Sequence, residues 1–237
     1  MSKIHLVHLY PKEMNIYGDT GNRLILEQRL KWRGIEVEVS LIGVGEAIPA
    51  DADIILGGGG QDAGQQVVES DLLTKQATLQ QMADDGVVML MVCGLYQLFG
   101  HRFVTHEGLE IKGIDILPLE TIASDTRMIG NTVFRTPFGE VVAYENHSGK
   151  TWLDDKTTAF GQMIKGDGNN GEDKTEGCVV NNVFGTYGHG PILSKNPAFA
   201  DELIKRALAR KGEAVDLKSL NDDLEVLAHK TATSRPR

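Results

Sequence analysis

The stretch that decides the fold is residues 86–98, GVVMLMVCGLYQL, in which six apolar residues lead from Gly86 to Cys93. An apolar run without polar alternation is typical of a strand that is buried on both faces. Gly94 follows, and the next residues have the composition of a helix start. The sequence therefore predicts a thiol at a sharp strand-to-helix turn, which is the position of a nucleophile elbow.

Strand and helix patterns alternate along the chain on both sides of this segment. Upstream we predict strands at 4–9, 35–41 and 53–56 and helices at 21–33 and 65–84. Downstream we predict strands at 109–117, 128–135 and 140–144, an exposed loop at 166–177, a helix at 197–210 and a frayed tail at 230–237. This order predicts an α/β fold, with a mainly parallel twisted sheet flanked by helices and extra antiparallel strands in the second half.

Length and charge narrow the functional classes. The 237 residues predict one domain, 1–237, with a partly flexible C-terminal extension from about 212. A net charge of −9 gives no general attraction to nucleic acid or to an anionic membrane surface. The sequence has neither a secretory signal pattern nor an apolar run long enough to cross a bilayer. We therefore expect a cytoplasmic protein with no nucleic-acid partner.

Metal and nucleotide sites have little support in the sequence. The chain has two cysteines, Cys93 and Cys178, and we expect no disulfide between them in a reducing compartment. Cys178 fits a small buried apolar residue. The histidines and cysteines lack the spacing of zinc ligands, and the glycines of 57–60 complete no nucleotide-binding motif. We predict no metal and no cofactor in this chain.

A cysteine nucleophile needs a partner for proton transfer, which intracellular cysteine enzymes usually find far away in sequence. His189, within Gly188-His189-Gly190, lies in a glycine-flanked turn. His147 lies in a second polar turn that follows a predicted strand. The residues alone do not favour one histidine over the other.

Several segments resemble class I, triad-type glutamine amidotransferases. Residues 91–97 resemble the nucleophile motif of that family, 57–60 its oxyanion loop and 185–193 its histidine segment, in the family's order. Within the family the chain most resembles the cobyric-acid-synthase-like branch and, through 15–22, 145–147 and 185–193, the glutaminase subunits of lipid II isoglutaminyl synthases. The resemblance implies a flavodoxin-like fold and hydrolysis of L-glutamine through a cysteine thioester.

Carried over position by position, the resemblance implies that Cys93 is the nucleophile and His189 the general acid/base. Arg127 is similar to a substrate-binding arginine, and its guanidinium suits a bidentate grip on the glutamine carboxylate. The remaining implied substrate-binding positions are Gln97, Gly59, Gly60 and Gly94. His147 stays as a further candidate.

The carboxylate of a catalytic triad has no obvious source in the sequence. The better-known amidotransferases have glutamate two positions after the catalytic histidine, whereas this chain has Pro191 there. Asp19 resembles an acidic position of the family, but an N-cap for the first helix explains it nearly as well. We therefore expect either a carboxylate from a partner subunit or a Cys–His dyad.

The resemblance also implies a partner, a Mur-ligase-like synthetase of the MurT type. That subunit would bind ATP and Mg²⁺ and amidate the α-carboxyl of D-glutamate in lipid II, at the inner face of the membrane. Two alternatives stay open. The chain could serve another acceptor, as in cobyric-acid synthesis, or it could be a non-catalytic interaction module of the same fold.

Overall fold

A computed structural model describes residues 2–237, except for the side chains of residues 62 and 63. The first half consists of β1 (Lys3–Leu9), α1 (Thr20–Trp32), β2 (Glu36–Ile42), β3 (Ile54–Gly57), α2 (Asp62–Asp84), β4 (Val88–Val92) and α3 (Gly94–Leu98). The strands of the second half are β5 (Arg102–Val104), β6 (Glu110–Lys112), β7 (Leu119–Thr136), β8 (Gly139–Leu153), β9 (Gly161–Lys165), β10 (Thr175–Glu176), β11 (Cys178–Val180) and β12 (Val183–Thr186). A 3₁₀ turn (Ile192–Lys195), α4 (Pro197–Arg210) and α5 (Asp223–Ser234) follow.

The first sheet has the strand order β11-β12-β4-β3-β1-β2 and is parallel except for β11 at one edge. Every residue of β4 is buried, as the unbroken apolar run predicts. The parallel strands β1, β3, β4 and β12 end at the same edge of the sheet, so the segments that follow them meet there. The predicted α/β fold is confirmed.

The second sheet has the order β10-β9-β7-β5-β6, with β8 paired to β7. The β7–β8 hairpin is antiparallel, and its register shifts between Ala123 and Met128. Tyr144 of β8 also exchanges backbone hydrogen bonds with His189, at 2.9 and 3.2 Å. The hairpin is thereby tied to the segment that follows β12.

Three local predictions were wrong. Of the strand predicted at 109–117, the structure forms β6 only, because Ile114 instead donates its N–H to Leu98 beneath α3. The loop at 166–177 is not simply exposed, since the side-chain amides of Asn169 and Asn170 bond backbone carbonyls and both residues are buried. The tail predicted to fray from residue 230 is helical to Ser234.

In the part of the chain that the structure describes, no helix is both long and apolar enough to cross a membrane.

Candidate active site

Cys93 lies between β4 and α3 with φ 53° and ψ −105°, a backbone conformation that is strained for a residue with a side chain. Its N–H donates to the Thr186 carbonyl of β12 at 2.8 Å, which holds the turn against the neighbouring strand. At Gly94 a Cβ would fall 2.7 Å from Met14 Cε and 3.0 Å from Gly60 N, so a larger residue would displace the Met14 side chain and press on the Gly60 backbone. The turn directs the Cys93 side chain toward the edge where the parallel strands end.

His189 follows β12 and contacts the same glycine as Cys93. A Cβ at Gly59 would lie 3.0 Å from His189 Cε1 and 3.5 Å from Cys93 Sγ. Burial lowers the pKa of His189, but the Cys93 thiolate and the Asp19 carboxylate outweigh burial and raise it to about 10. The two side chains are therefore neighbours, and the site favours an imidazolium beside the sulfur.

Asp19 supplies a buried carboxylate to His189 from 170 positions upstream. His189 Nδ1 lies 3.3 Å from the carboxylate oxygens of Asp19, and the Gly59 N–H donates to Asp19 Oδ2 at 2.9 Å. Because a carboxylate only accepts, Nδ1 carries a proton in both charge states of His189, which leaves Nε2 as the nitrogen that can exchange a proton with the sulfur. Asp19 is the N-cap residue of α1, but its side chain makes no capping hydrogen bond, so capping does not account for its carboxylate. The expectation that no carboxylate of this chain reaches the histidine is wrong.

The glycines around Cys93 differ in what their N–H groups contact. The Gly59 N–H is already bonded to Asp19, so it does not point at a substrate oxygen. Gly60 and Gly94 pack together, since a Cβ built on Gly94 would lie 3.0 Å from Gly60 N, and among the described residues neither N–H donates to a protein acceptor. Paired free N–H groups beside a nucleophile are the arrangement that stabilises a tetrahedral oxyanion.

A cleft of about 430 Å³ opens beside Cys93. The described residues that line it are Tyr17, Gly60, Gln61, Gln65, Cys93, Gln97, Phe103, Arg127, Asn146, His147, Ser148 and Gly149. Arg127 is fixed in this wall, since its Nε donates to Asn146 Oδ1 at 2.8 Å and its Nη2 to the Tyr17 hydroxyl at 3.1 Å. The Cys93 thiol and the Arg127 guanidinium thus line the same cleft, and a guanidinium can bind a carboxylate through two hydrogen bonds.

Gln97 lines the cleft, but its side-chain amide is bonded to protein on both sides. It donates to the Tyr187 hydroxyl at 3.0 Å and accepts from Gln65 Nε2 at 2.6 Å. Gln65, Tyr187, Tyr17 and Asn146 were not predicted as site residues. The three other than Gln65 fall in segments that carry the family resemblance, whereas no sequence signal points to Gln65.

His147 lies in the same cleft, and no carboxylate among the described side chains bonds to it. Its ring stacks on Tyr187, with centroids 3.5 Å apart, and Nδ1 donates to the Gly149 carbonyl at 2.8 Å. Burial lowers the pKa of His147 to about 3. A histidine that stays neutral in this way is less suited than His189 to protonate a leaving group.

One cluster of potential metal ligands occurs among the described residues, formed by His5, Glu38 and Asp51. It lies at the amino ends of β1 and β3, away from the cleft. Lys3 pairs with Glu38 at 2.6 Å, so the cluster already contains a cation.

Comparisons with known proteins agree with this geometry. The family model of the CobB/CobQ-like glutamine amidotransferase domain matches residues 5–197. Subunit GatD of the glutamine-hydrolyzing lipid II isoglutaminyl synthase is 37% identical in Staphylococcus aureus (strain N315), covering 99% of this chain and 97% of that protein. GatD of Streptococcus pneumoniae (strain ATCC BAA-255 / R6) is 35% identical over 94% and 87%. A cobyric acid synthase of Listeria monocytogenes serotype 4b (strain F2365) is 33% identical over 58% of this chain and 28% of its own length.

Solved structures share the fold at low sequence identity. PurLQS from Thermotoga maritima superposes with a TM-score of 0.60 at 16% identity, covering 88% of this chain and 99% of the matched one. A glutamine amidotransferase from the same organism gives 0.56 at 12% identity, with 97% and 93% covered. Family match, relatives and fold agree, and the chain belongs to the CobB/CobQ-like glutamine amidotransferase family.

Proposed function

We propose that this chain is a glutaminase subunit that hydrolyses L-glutamine to glutamate and ammonia at Cys93. One observation carries the proposal. The Cys93 thiol and the His189 imidazole contact the same glycine, with Asp19 behind the imidazole, beside a cleft whose wall presents Arg127. A non-catalytic module of the same fold has no need of this arrangement.

In the proposed reaction, the Cys93 thiolate attacks the carboxamide carbon of glutamine. The oxyanion that forms accepts hydrogen bonds from the Gly60 and Gly94 N–H groups. His189 donates its proton to the departing nitrogen, which leaves as ammonia, and an acyl thioester remains on Cys93. Neutral His189 then takes a proton from the water that attacks the thioester, which releases glutamate. Asp19 keeps the Nδ1 proton in place throughout.

For the acceptor, we propose that the ammonia passes to a Mur-ligase-like synthetase that amidates the D-glutamate α-carboxyl of lipid II. ATP and Mg²⁺ belong to that partner. The similarity to GatD proteins along nearly the full length of both chains supports this acceptor. The cobyric acid synthase of Listeria monocytogenes serotype 4b (strain F2365) is a much longer protein, and the match spans 28% of its length. A cytoplasmic location, at the membrane face where a lipid-linked acceptor lies, follows from the same proposal.

Two alanine variants test the nucleophile. Cys93→Ala should abolish ammonia release from L-glutamine, because no other group at the turn can form the thioester. Cys178→Ala is the matched control, since Cys178 is also buried and burial raises the pKa of its thiol to about 12. Activity that survives in Cys93→Ala, or that disappears only in Cys178→Ala, would contradict the assignment.

The acceptor is tested separately from the nucleophile. Affinity purification of the chain from its native cells, followed by mass spectrometry, should recover an ATP-dependent Mur-ligase-like subunit. With that complex and glutamine labelled with ¹⁵N in the side-chain amide, the label should appear in an amide of lipid II. Label transfer to a corrinoid carboxylate would instead identify the cobyric-acid type of reaction.

A further inference from the structure

Tyr17 lies between the histidine and the arginine of the site. Its ring packs on the imidazole of His189, with ring centroids 4.5 Å apart and 55° between the ring planes. Its hydroxyl accepts a hydrogen bond from Nη2 of Arg127 at 3.1 Å. His189 follows β12 of the first sheet, whereas Arg127 lies on the β7–β8 hairpin of the second. The side chain of Tyr17 therefore contacts one functional group from each sheet.

The backbone around Tyr17 forms a turn that is bonded to the site. The Gly18 N–H donates to the Asn15 carbonyl at 3.1 Å, which places Tyr17 at the third position of a four-residue turn. Gly18 has φ 75°, a conformation that favours glycine. The Ile16 N–H donates to the carbonyl of Gly59, also at 3.1 Å. The turn is thus attached to the glycine that contacts both Cys93 and His189.

The ring of Tyr17 forms part of the cover over His189, which is 2% exposed. The imidazolium of His189 and the thiolate of Cys93 attract each other more strongly where water is excluded. An aromatic neighbour also restricts the positions that the imidazole can take, and such pairs contribute more than their buried area alone. Loss of the ring should therefore impair proton transfer and lower kcat.

The hydroxyl of Tyr17 acts on the guanidinium of Arg127. Nε of Arg127 donates to Asn146 Oδ1 and Nη2 donates to the hydroxyl, so two contacts fix the plane of the group. Among the described residues, no protein acceptor takes an N–H of Nη1, which leaves donors for a carboxylate. Without the hydroxyl the guanidinium can rotate, which weakens substrate binding but does not touch the reacting atoms.

We propose that Tyr17 is a positioning residue with two separable effects: its hydroxyl orients Arg127 for the α-carboxylate of glutamine, and its ring keeps His189 in place beside Cys93. This inference rests on the proposed function, because it concerns the glutamine site. Tyr17 itself transfers no proton.

Two substitutions separate the hydroxyl from the ring, with both kinetic constants measured by ammonia release from L-glutamine. Tyr17→Phe keeps the ring and removes the hydroxyl, so KM should rise about 3- to 10-fold at constant kcat. Tyr17→Leu removes both, so KM should rise as much and kcat should also fall about 3- to 10-fold. A merely structural role would not divide the two constants in this way.

Tyr10→Phe is the matched control. The Tyr10 hydroxyl donates to Asp71 at 2.7 Å, and Tyr10 is not among the described residues that line the cleft. This variant also loses one hydrogen bond to a charged group, so it should unfold at a lower temperature but keep both KM and kcat.

A double substitution tests whether the hydroxyl acts through Arg127. Arg127→Met has a side chain of similar reach without a donor. In that background Tyr17→Phe should not lower kcat/KM any further, because the group that the hydroxyl orients is gone. An equal loss with and without the guanidinium would show that the hydroxyl acts on something else.

Two other results would overturn the inference. If Tyr17→Phe leaves KM unchanged, the hydroxyl does not orient the arginine, and if Tyr17→Leu keeps the kcat of Tyr17→Phe, the ring does not hold the histidine. Thermal unfolding shows that the variants are folded, as expected for a half-exposed residue in a turn. If the unsubstituted chain, purified with its native partner, releases no ammonia from glutamine, the proposed function itself fails.

Discussion

Asp19→Asn should impair His189 without removing it. The amide has nearly the shape of the carboxylate but no charge. In the wild-type protein the Gly59 N–H donates to the Asp19 carboxylate at 2.9 Å. The amide oxygen of the asparagine can still accept this hydrogen bond. The NH₂ group then faces His189 Nδ1, and two donors cannot bond each other. His189 then has two options. It loses the contact with residue 19, or its Nδ1 proton moves to Nε2, and a protonated Nε2 cannot accept a proton from the thiol or from water.

The size of the effect follows from the lost contact. A hydrogen bond between charged partners, here at 3.3 Å, contributes about 1.5–3 kcal/mol. One pKa unit corresponds to 1.36 kcal/mol, so loss of this hydrogen bond lowers the pKa of His189 by about 1–2 units. The starting value is about 10. The same energy in the transition state corresponds to about 10- to 100-fold in rate. Because His189 must be protonated to release ammonia, activity should decline from about pH 8–9 instead of near pH 10.

The assay is ammonia release from L-glutamine between pH 6 and pH 10.5. Asp53→Asn is the control, since Asp53 is another buried carboxylate, which accepts from Lys211 at 2.9 Å at the opposite edge of the sheet. That variant should be less stable but keep the alkaline limit of activity. If Asp19→Asn leaves both the rate and the alkaline limit unchanged, the carboxylate does not act through His189.

Three further outcomes are expected. Gly59→Ala places a Cβ 3.0 Å from His189 Cε1 and 3.1 Å from Cys93 Cβ, so it should separate them and lower kcat about 10-fold, measured by ammonia release. A folded variant with normal kcat would refute this packing argument. Arg127→Lys keeps the charge but loses the bidentate grip, so KM for glutamine should rise about 10-fold at constant kcat; an unchanged KM would remove Arg127 from the substrate site. Burial raises the pKa of Glu176 from 4.5 to about 7, so the stability it contributes is complete below pH 4.5 and is lost as pH rises through 7. The effect of Glu176→Gln on the free energy of unfolding should therefore be about 3 kcal/mol more stabilising at pH 8 than at pH 4, measured by urea denaturation. An equal effect at both pH values would contradict the reasoning.

The sequence pattern predicted the nucleophile elbow, because the residues that form it are adjacent in the sequence. The apolar run of β4 and the glycine after Cys93 indicated the elbow, because an unbroken apolar strand and a crowded turn each leave a mark within a few residues. The bounds of α4 were also predicted from its pattern. The segments at 109–117 and 166–177 were mispredicted because each makes hydrogen bonds to another element, the first to Leu98 of α3 and the second to Thr151 of β8.

The sequence by itself determined a thiol at the end of a buried strand, in an α/β chain with two candidate histidines. Only the tertiary structure decided how the two histidines differ. His189 contacts the carboxylate of Asp19, which lies 170 positions away in the sequence. His147 instead donates to the carbonyl of Gly149, two positions away, and stacks on the ring of Tyr187. The reason is physical: periodicity reports which face of an element is buried, but the order of strands in the sheet decides which side chains meet at its edge.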